Sequence, residues 1–195
     1  MMRRSTIYAA VFVALVGGYA AYQFIFARPT NVPPEFNEAR LQGAMISQAI
    51  VDTSNNLSRD IAQVNDLDAK GDYAGALRLT LELVNSSQEI RAKAVELSAE
   101  LEKMTKALSS IDSTSARQAA LESISSRLAL ISRLINYSDE TLKLLQALEN
   151  KFSGAKKGDA KVADAVNQIN AEVAAINNFN REATEAMTRF DAIVK

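Results

Sequence analysis

Hydrophobic residues follow two patterns along this chain, one continuous near the start and one at helical spacing over the remainder. Residues 7–27 read IYAAVFVALVGGYAAYQFIFA and contain no charged side chain. A helix of about 20 apolar residues crosses the ~30 Å hydrocarbon core of a bilayer. We therefore predict a membrane anchor, residues 1–27, that crosses a lipid bilayer once through residues 7–27.

The charges that flank this segment predict its orientation. Arg3 and Arg4 precede it, Arg28 is the only basic residue close behind it, and Glu35 and Glu38 follow. Positively charged flanks favour the cytoplasmic side of a membrane. We expect a single-pass protein of the cytoplasmic membrane with its N-terminus inside and the remainder outside the cytoplasm, in a periplasmic or extracellular space.

Two alternatives remain open for this segment. The small residues Gly18 and Ala20 could precede a cleavage site, which would make it a removed signal peptide. It could also be a core helix of a soluble domain, although such a helix usually has one polar face.

A short linker, residues 28–34, separates the anchor from the rest of the chain. It reads RPTNVPP and holds all three prolines of the protein. Proline removes a backbone donor and disfavours helix in the residue before it. We therefore expect extended chain here, so that the anchor does not continue as one helix into the following part.

Beyond the linker, apolar residues recur three and four positions apart, a spacing that predicts four long helices. We expect them over residues 35–69, 73–111, 116–152 and from 159 to near the C-terminus. The second has the most regular stripe: Tyr73, Ala76, Thr80, Leu83, Ser87, Ile90, Ala94, Leu97, Leu101, Met104, Leu108 and Ile111. The stripe predicted for the third comprises Leu121, Ile124, Leu128, Ile131, Ile135, Ser138, Leu142, Leu145, Leu148 and Phe152, widened by Leu130, Leu134 and Leu144.

Turn chemistry separates these segments. Lys70-Gly71-Asp72 places a basic residue, a C′ glycine and an N-cap aspartate where helix ends prefer them, and Lys-Gly-Asp recurs before the fourth segment. Ser115 and Gln118 have the spacing of a capping box at the start of the third helix.

The predicted fold is all-α: a single N-terminal transmembrane helix followed, over residues 35–195, by a long up-down-up-down four-helix bundle with coiled-coil-like packing. Short connections make neighbouring helices antiparallel, and equal lengths let each stripe be buried along its whole extent. A two-hairpin open arrangement or a dimer that exchanges helices would satisfy the same pattern.

Composition narrows the chemistry. The chain has no Cys, His or Trp, which excludes disulfides, thiolate metal sites, haem attachment and a histidine base. Setting Arg3 and Arg4 aside leaves 20 basic against 23 acidic residues, a mixed and mildly acidic balance that argues against nucleic acid. We expect no cofactor, no metal and no enzymatic activity.

Small polar residues interrupt three of the stripes at similar distance from the end that carries the Lys-Gly-Asp turns. They are Thr53, Ser87 and Ser138, and Asn56 lies near the same level. We predict a polar layer across the bundle. It either fixes the register of the helices or lines a hydrated pocket for a small polar ligand.

The same end carries charges of both signs. Asp66 and Asp68 neighbour Lys156 and Lys157, which suggests either a solvated end with weak ion pairs or a docking tip for an envelope partner.

The overall plan, an entry helix followed by a long helical bundle, is similar to the membrane-anchored sensor modules of bacterial chemoreceptors and histidine kinases. The second membrane helix and the signalling region of those receptors have no counterpart in this sequence. We expect a membrane-anchored structural or interaction subunit, a scaffold or accessory protein, with a protein partner or self-association through the bundle. The alternative is an extracytoplasmic sensor bundle that binds a ligand and acts with a separate membrane partner.

Overall fold

The computed structural model describes residues 32–154 and 158–194, with side chains of the second range from residue 161 onward. These ranges form four helices and no strand: α1 (Pro34–Ala69), α2 (Tyr73–Ala107), α3 (Thr114–Phe152) and α4 (Gly158–Val194). A 3₁₀ turn, Leu108–Ser110, extends α2. The predicted all-α class is confirmed, and the arrangement is consistent with a four-helix bundle.

The predicted anchor at 7–27 lies outside the described residues, as does most of the linker. No helix within 32–154 and 158–194 has the length and apolar character needed to cross a membrane. Helix α1 begins at Pro34, immediately after Pro33. Proline suits the first helical position because its fixed φ matches the helix and the missing N–H would have no partner there.

The turn at Lys70–Asp72 follows the local chemistry that the sequence predicts, whereas the start of α3 does not. Gly71 has φ +77°, a left-handed conformation that favours glycine, and the Asp72 side chain accepts a hydrogen bond from the Gly75 amide at 2.9 Å. The predicted capping box at Ser115 is wrong, because α3 begins earlier. Ser113, in extended conformation, caps it and accepts from the Ala116 amide at 3.2 Å.

Cross-helix contacts show that successive helices run antiparallel. Gly43 of α1 lies against Leu97 of α2, so that a Cβ at Gly43 would be 3.3 Å from the leucine Cδ1. Ser87 of α2 meets Ser138 of α3, and Ser123 of α3 bonds α4. We call the end at which α1 begins and α4 ends the base, and the opposite end the tip.

The four sides of the bundle are not equally close. Backbones approach each other most within the two hairpins, α1–α2 and α3–α4, and less between α2 and α3. Side chains of α1 and α4 meet at the base, where the rings of Phe36 and Phe190 lie 5.2 Å apart between centroids. Each helix is about 54 Å long at a rise of 1.5 Å per residue.

The stripe predicted for α2 is confirmed from Ala76 to Met104, since every member in this range is buried. Tyr73, at the first position of the helix, is 54% exposed and stacks on Phe152 instead. The stripe predicted for α3 is wrong at Leu121 and Leu128, which are 49% and 48% exposed, whereas Ile124 and Ile131 of the same stripe are buried.

Close packing explains this difference on α3. Ser123 of α3 donates to the Ala183 carbonyl of α4, and the small residues near this contact, Ala119, Ala120, Ala183 and Ala186, are buried. Small residues on both sides allow the closest backbone approach in the bundle. Leucines do not fit such an interface, so the larger side chains at 121 and 128 lie on the outer surface.

Candidate functional site

A pair of serines joins α2 and α3 inside the tip-side half of the bundle. Ser87 and Ser138 are both fully buried. The Ser138 hydroxyl donates to the Ser87 carbonyl at 2.7 Å, the Ser87 hydroxyl donates toward the Ser138 carbonyl at 3.0 Å, and the two hydroxyl oxygens lie 3.2 Å apart. Each serine therefore uses the backbone of the other helix, which joins the two helices in one register.

Helix α1 contributes hydroxyls at the same level. Ser54 is buried, and the Ser58 hydroxyl lies near the phenol of Tyr137, which is buried on α3. Burial raises the pKa of Tyr137, and the hydroxyls of Ser58 and Thr141 partly offset that rise. We call Ser54, Ser58, Ser87, Tyr137 and Ser138 the hydroxyl layer.

The structure brings together only part of the predicted polar set. Ser87 and Ser138 meet, whereas Thr53 is half-buried and Asn56 is exposed. The buried face of α1 passes from Ile50 through Ser54 to Leu57. A stripe that advances by three or four residues leaves two adjacent positions possible at each step, and the sequence does not decide between them.

The Ser87 and Ser138 hydroxyls are bonded within the protein itself. Two grooves formed by described residues lie elsewhere, on the outer α3/α4 surface. One, of about 650 Å³, is open and lies toward the base between Gln118, Leu121, Glu122, Glu182 and Arg189. The other, of about 310 Å³, lies toward the tip beside Lys143, Asn150 and Lys161.

A charged cluster lies inside the base-side half, and sequence reasoning missed it. The Arg40 guanidinium of α1 donates to both carboxylate oxygens of Asp191 on α4, at 2.6 and 2.7 Å, and Arg40 is only 4% exposed. Arg127 of α3 is also buried, and desolvation, with the nearby Arg40 charge, lowers its pKa to about 10. We call Arg40, Arg127 and Asp191 the base cluster.

One signal in the sequence could have located part of the base cluster. Arg127 falls between Ile124 and Ile131, one helical turn from each, so it shares their buried face once α3 is rotated slightly from its predicted orientation. Arg40 gives no comparable signal, since it directly follows Ala39 in a mixed segment. Its burial depends on the approach of α4.

Some of the charged side chains at the tip form an ion pair. The Lys151 ammonium of α3 donates to the Asp68 carboxylate of α1 at 2.6 Å, and both side chains are about three-quarters buried. Asp66 is exposed. Lys156 and Lys157 lie outside the described residues. Of the two predicted tip acids, Asp68 therefore joins α1 to α3, whereas Asp66 faces solvent.

Among the described residues, no group of three or more His, Cys, Asp or Glu side chains is arranged to hold a metal ion. Comparisons with protein-family models, with curated proteins and with solved structures give no match to this chain.

Proposed function

We propose that this chain is a membrane-anchored, non-enzymatic scaffold or accessory subunit that projects a helical bundle from the outer face of the cytoplasmic membrane. Residues 7–27 form its single transmembrane helix, and residues 28–34 link that helix to an up-down-up-down bundle with coiled-coil-like packing. The observation that carries the proposal is the uncharged apolar run at 7–27, followed by a bundle that begins at Pro34.

The geometry of the bundle supports this role. Because α1 begins at the base, an anchor that precedes it would hold the base near the lipid and place the tip about 54 Å away. Both Lys151–Asp68 and the Tyr73–Phe152 stack strengthen that distant end. A rod with a braced far end suits a protein that positions a partner at a defined distance.

The interior of the bundle also supports a scaffold rather than a sensor. The hydroxyls of Ser87 and Ser138 are bonded to each other's helices, and Arg40 is bonded to Asp191. A polar ligand entering between Ser87 and Ser138 would have to replace the bonds between their helices, which costs about as much as it gains.

Membrane fractionation of the full chain tests the proposal. We expect the protein to stay in the membrane pellet after alkaline carbonate extraction, with its full intact mass. A reporter fused after Lys195 should be active only outside the cytoplasm. Release by carbonate, a mass that shows loss of the N-terminal segment, or a reporter active in the cytoplasm would each contradict it.

A further inference from the structure

The hydroxyl of Thr141 differs from that of four other threonines in the helices. In those four, the hydroxyl donates to the carbonyl four residues earlier, at 2.8–2.9 Å: Thr80, Thr105, Thr184 and Thr188. Thr141 is 1% exposed, and its hydroxyl makes no hydrogen bond to any residue that the structure describes. A buried hydroxyl without a partner is costly, so a bonding partner for this group is to be expected.

Two more hydroxyls lie beside Thr141. Tyr137 precedes it by one helical turn on the same buried face of α3. The Tyr137 phenol lies near the hydroxyls of Thr141 and of Ser58, a half-buried residue of α1. We call Ser58, Tyr137 and Thr141 the Thr141 cluster.

The register of the helices places the members of this cluster at one height. Gly43 of α1 meets Leu97 of α2, and counting 15 residues toward the tip from each places Ser58 level with residue 82. Counting five residues toward the tip from the Ser87–Ser138 contact places residue 82 level with residue 143 of α3. Ser58 therefore lies within about 3 Å of the height of Thr141 along the bundle axis.

The chemistry of the Thr141 cluster fits a small neutral molecule that both donates and accepts hydrogen bonds. Each hydroxyl can donate one bond and accept two. Burial raises the pKa of Tyr137, so the phenol keeps its proton at neutral pH and presents no charge to an ion. Tyr137 and Thr141 are only 7% and 1% exposed, which leaves little access for a molecule larger than water.

We propose that the Thr141 cluster holds one buried water molecule that bridges α1 and α3. The water bonds the hydroxyls of Thr141 and Tyr137 on α3 and the hydroxyl of Ser58 on α1, and three partners are typical of a buried water. It satisfies the Thr141 hydroxyl and links two helices that are not consecutive in the chain. The site is separate from Ser87 and Ser138, whose hydroxyls bond the protein directly, and it does not depend on the proposed membrane anchor.

Oxygen-17 relaxation dispersion of the solvent tests the site in the full chain in detergent. The method detects water oxygens that stay bound for longer than the protein takes to rotate, and it does not detect protein hydroxyls. Thr141→Val removes the hydroxyl at nearly constant shape and should lower the dispersion amplitude by one long-lived water. Thr80→Val is the matched control, because Thr80 is equally buried but bonds the Ala76 carbonyl, and it should leave the amplitude unchanged.

Urea unfolding distinguishes a hydroxyl that bonds water from one that is unsatisfied. Loss of the bond to water should lower the urea midpoint of Thr141→Val by about 0.5 M. If the hydroxyl were unsatisfied, valine would remove a desolvation penalty and the midpoint would rise. Thr141→Ser keeps the hydroxyl and should retain the full dispersion amplitude. If circular dichroism shows that Thr141→Val loses helix, Ser58→Ala replaces it and should remove the same water.

The combined outcomes decide the proposal. Loss of one long-lived water in Thr141→Val and in Ser58→Ala, with Thr80→Val and Thr141→Ser unchanged, supports the bridging water. An amplitude that Thr141→Val leaves unchanged overturns it, even if the variant is less stable, because the hydroxyl then bonds the protein itself. A rise of the urea midpoint in Thr141→Val, or an equal loss of amplitude in Thr80→Val, also overturns it.

Discussion

Two buried polar regions hold this bundle together by different means. The hydroxyl layer in the tip-side half is neutral, and each member of its Ser87–Ser138 pair bonds the backbone of the other's helix. The base cluster is charged. It places two guanidinium groups, Arg40 and Arg127, in the interior with the Asp191 carboxylate between α1 and α4.

The difference shows how a buried polar group affects the packing of the side chains around it. Serine hydroxyls are small and find acceptors on a backbone that is always present, so the apolar stripes around them stay regular. Buried guanidinium groups need space and counter-charge, and their desolvation opposes folding. In the base-side half the arginine at 127 lies inside while leucines lie outside, and only there does the α3 stripe depart from prediction.

The largest expected effect compares two leucines at similar height in the base-side half. Leu101 of α2 is 1% exposed, and Leu121 of α3 is 49% exposed. Leu101→Asp should cost about 5 kcal/mol in the free energy of unfolding, because it removes a core side chain and buries a charge. Leu121→Asp should change it by under about 0.5 kcal/mol. Urea unfolding of the full chain in detergent, followed by circular dichroism, measures both. Equal losses would show that the two helix faces are equally buried.

The next effect compares a buried and an exposed ion pair. Asp191→Leu leaves Arg40 charged in the interior and should cost about 3–5 kcal/mol. Asp139→Leu removes the partner of Arg91, where both side chains are 41–51% exposed, and should cost under about 1 kcal/mol. The double change Arg40→Met with Asp191→Leu should recover most of the first loss. Thermal melting in detergent ranks the stabilities of the three variants. A larger loss of stability from Asp139→Leu than from Asp191→Leu would show that Arg40–Asp191 is not the more strongly buried pair.

Arg127 is expected to oppose stability. Its folded pKa, about 10, is lower than in the unfolded chain, so the unfolded state binds the proton more tightly. The penalty is therefore present at neutral pH and declines only as the pH rises above about 10. Arg127→Met should raise the free energy of unfolding by about 1 kcal/mol or more at pH 7. Urea midpoints of the variant and wild type decide the sign, and a clear loss would show that the arginine contributes net stability.

The smallest effect concerns the hydroxyl layer. Ser138→Ala should cost about 1 kcal/mol, because it removes the bond to the Ser87 carbonyl. Ser87→Ala with Ser138→Ala should cost less than the sum of the single changes, since the two hydroxyls share a contact. Thr53→Val, outside the layer, is the matched control and should be nearly neutral. Strict additivity in denaturant titrations would mean that the serines act independently.

Much of the fold follows from sequence because it depends on local chemistry. The helix ends at Gly71 and Asp72 and the stripe of α2 from Ala76 to Met104 are set by residues near in the chain. The rotation of α3 and the burial of Arg40 depend on how closely a distant helix approaches. The buried polar residues divide in the same way, into contacts that local patterns predict and contacts that depend on a distant helix. The Ser87–Ser138 contact joins two stripes that were identified separately, whereas Arg40 and Asp191 are 151 positions apart and carry no shared pattern.

The placement of the start of α1 and the end of α4 at the base determines how the bundle responds to mechanical load. A pull between Pro34 and the turn at Gly71 acts along the helices and shears many side-chain contacts at once. A pull between Pro34 and Val194 instead opens α1 from α4 like a zipper, beginning at Phe36–Phe190 and Arg40–Asp191, where the backbones are already apart. Forced unfolding follows the rate of the first opening step. The bundle is therefore stiff toward a partner held at its tip and weak toward one attached at its C-terminal end.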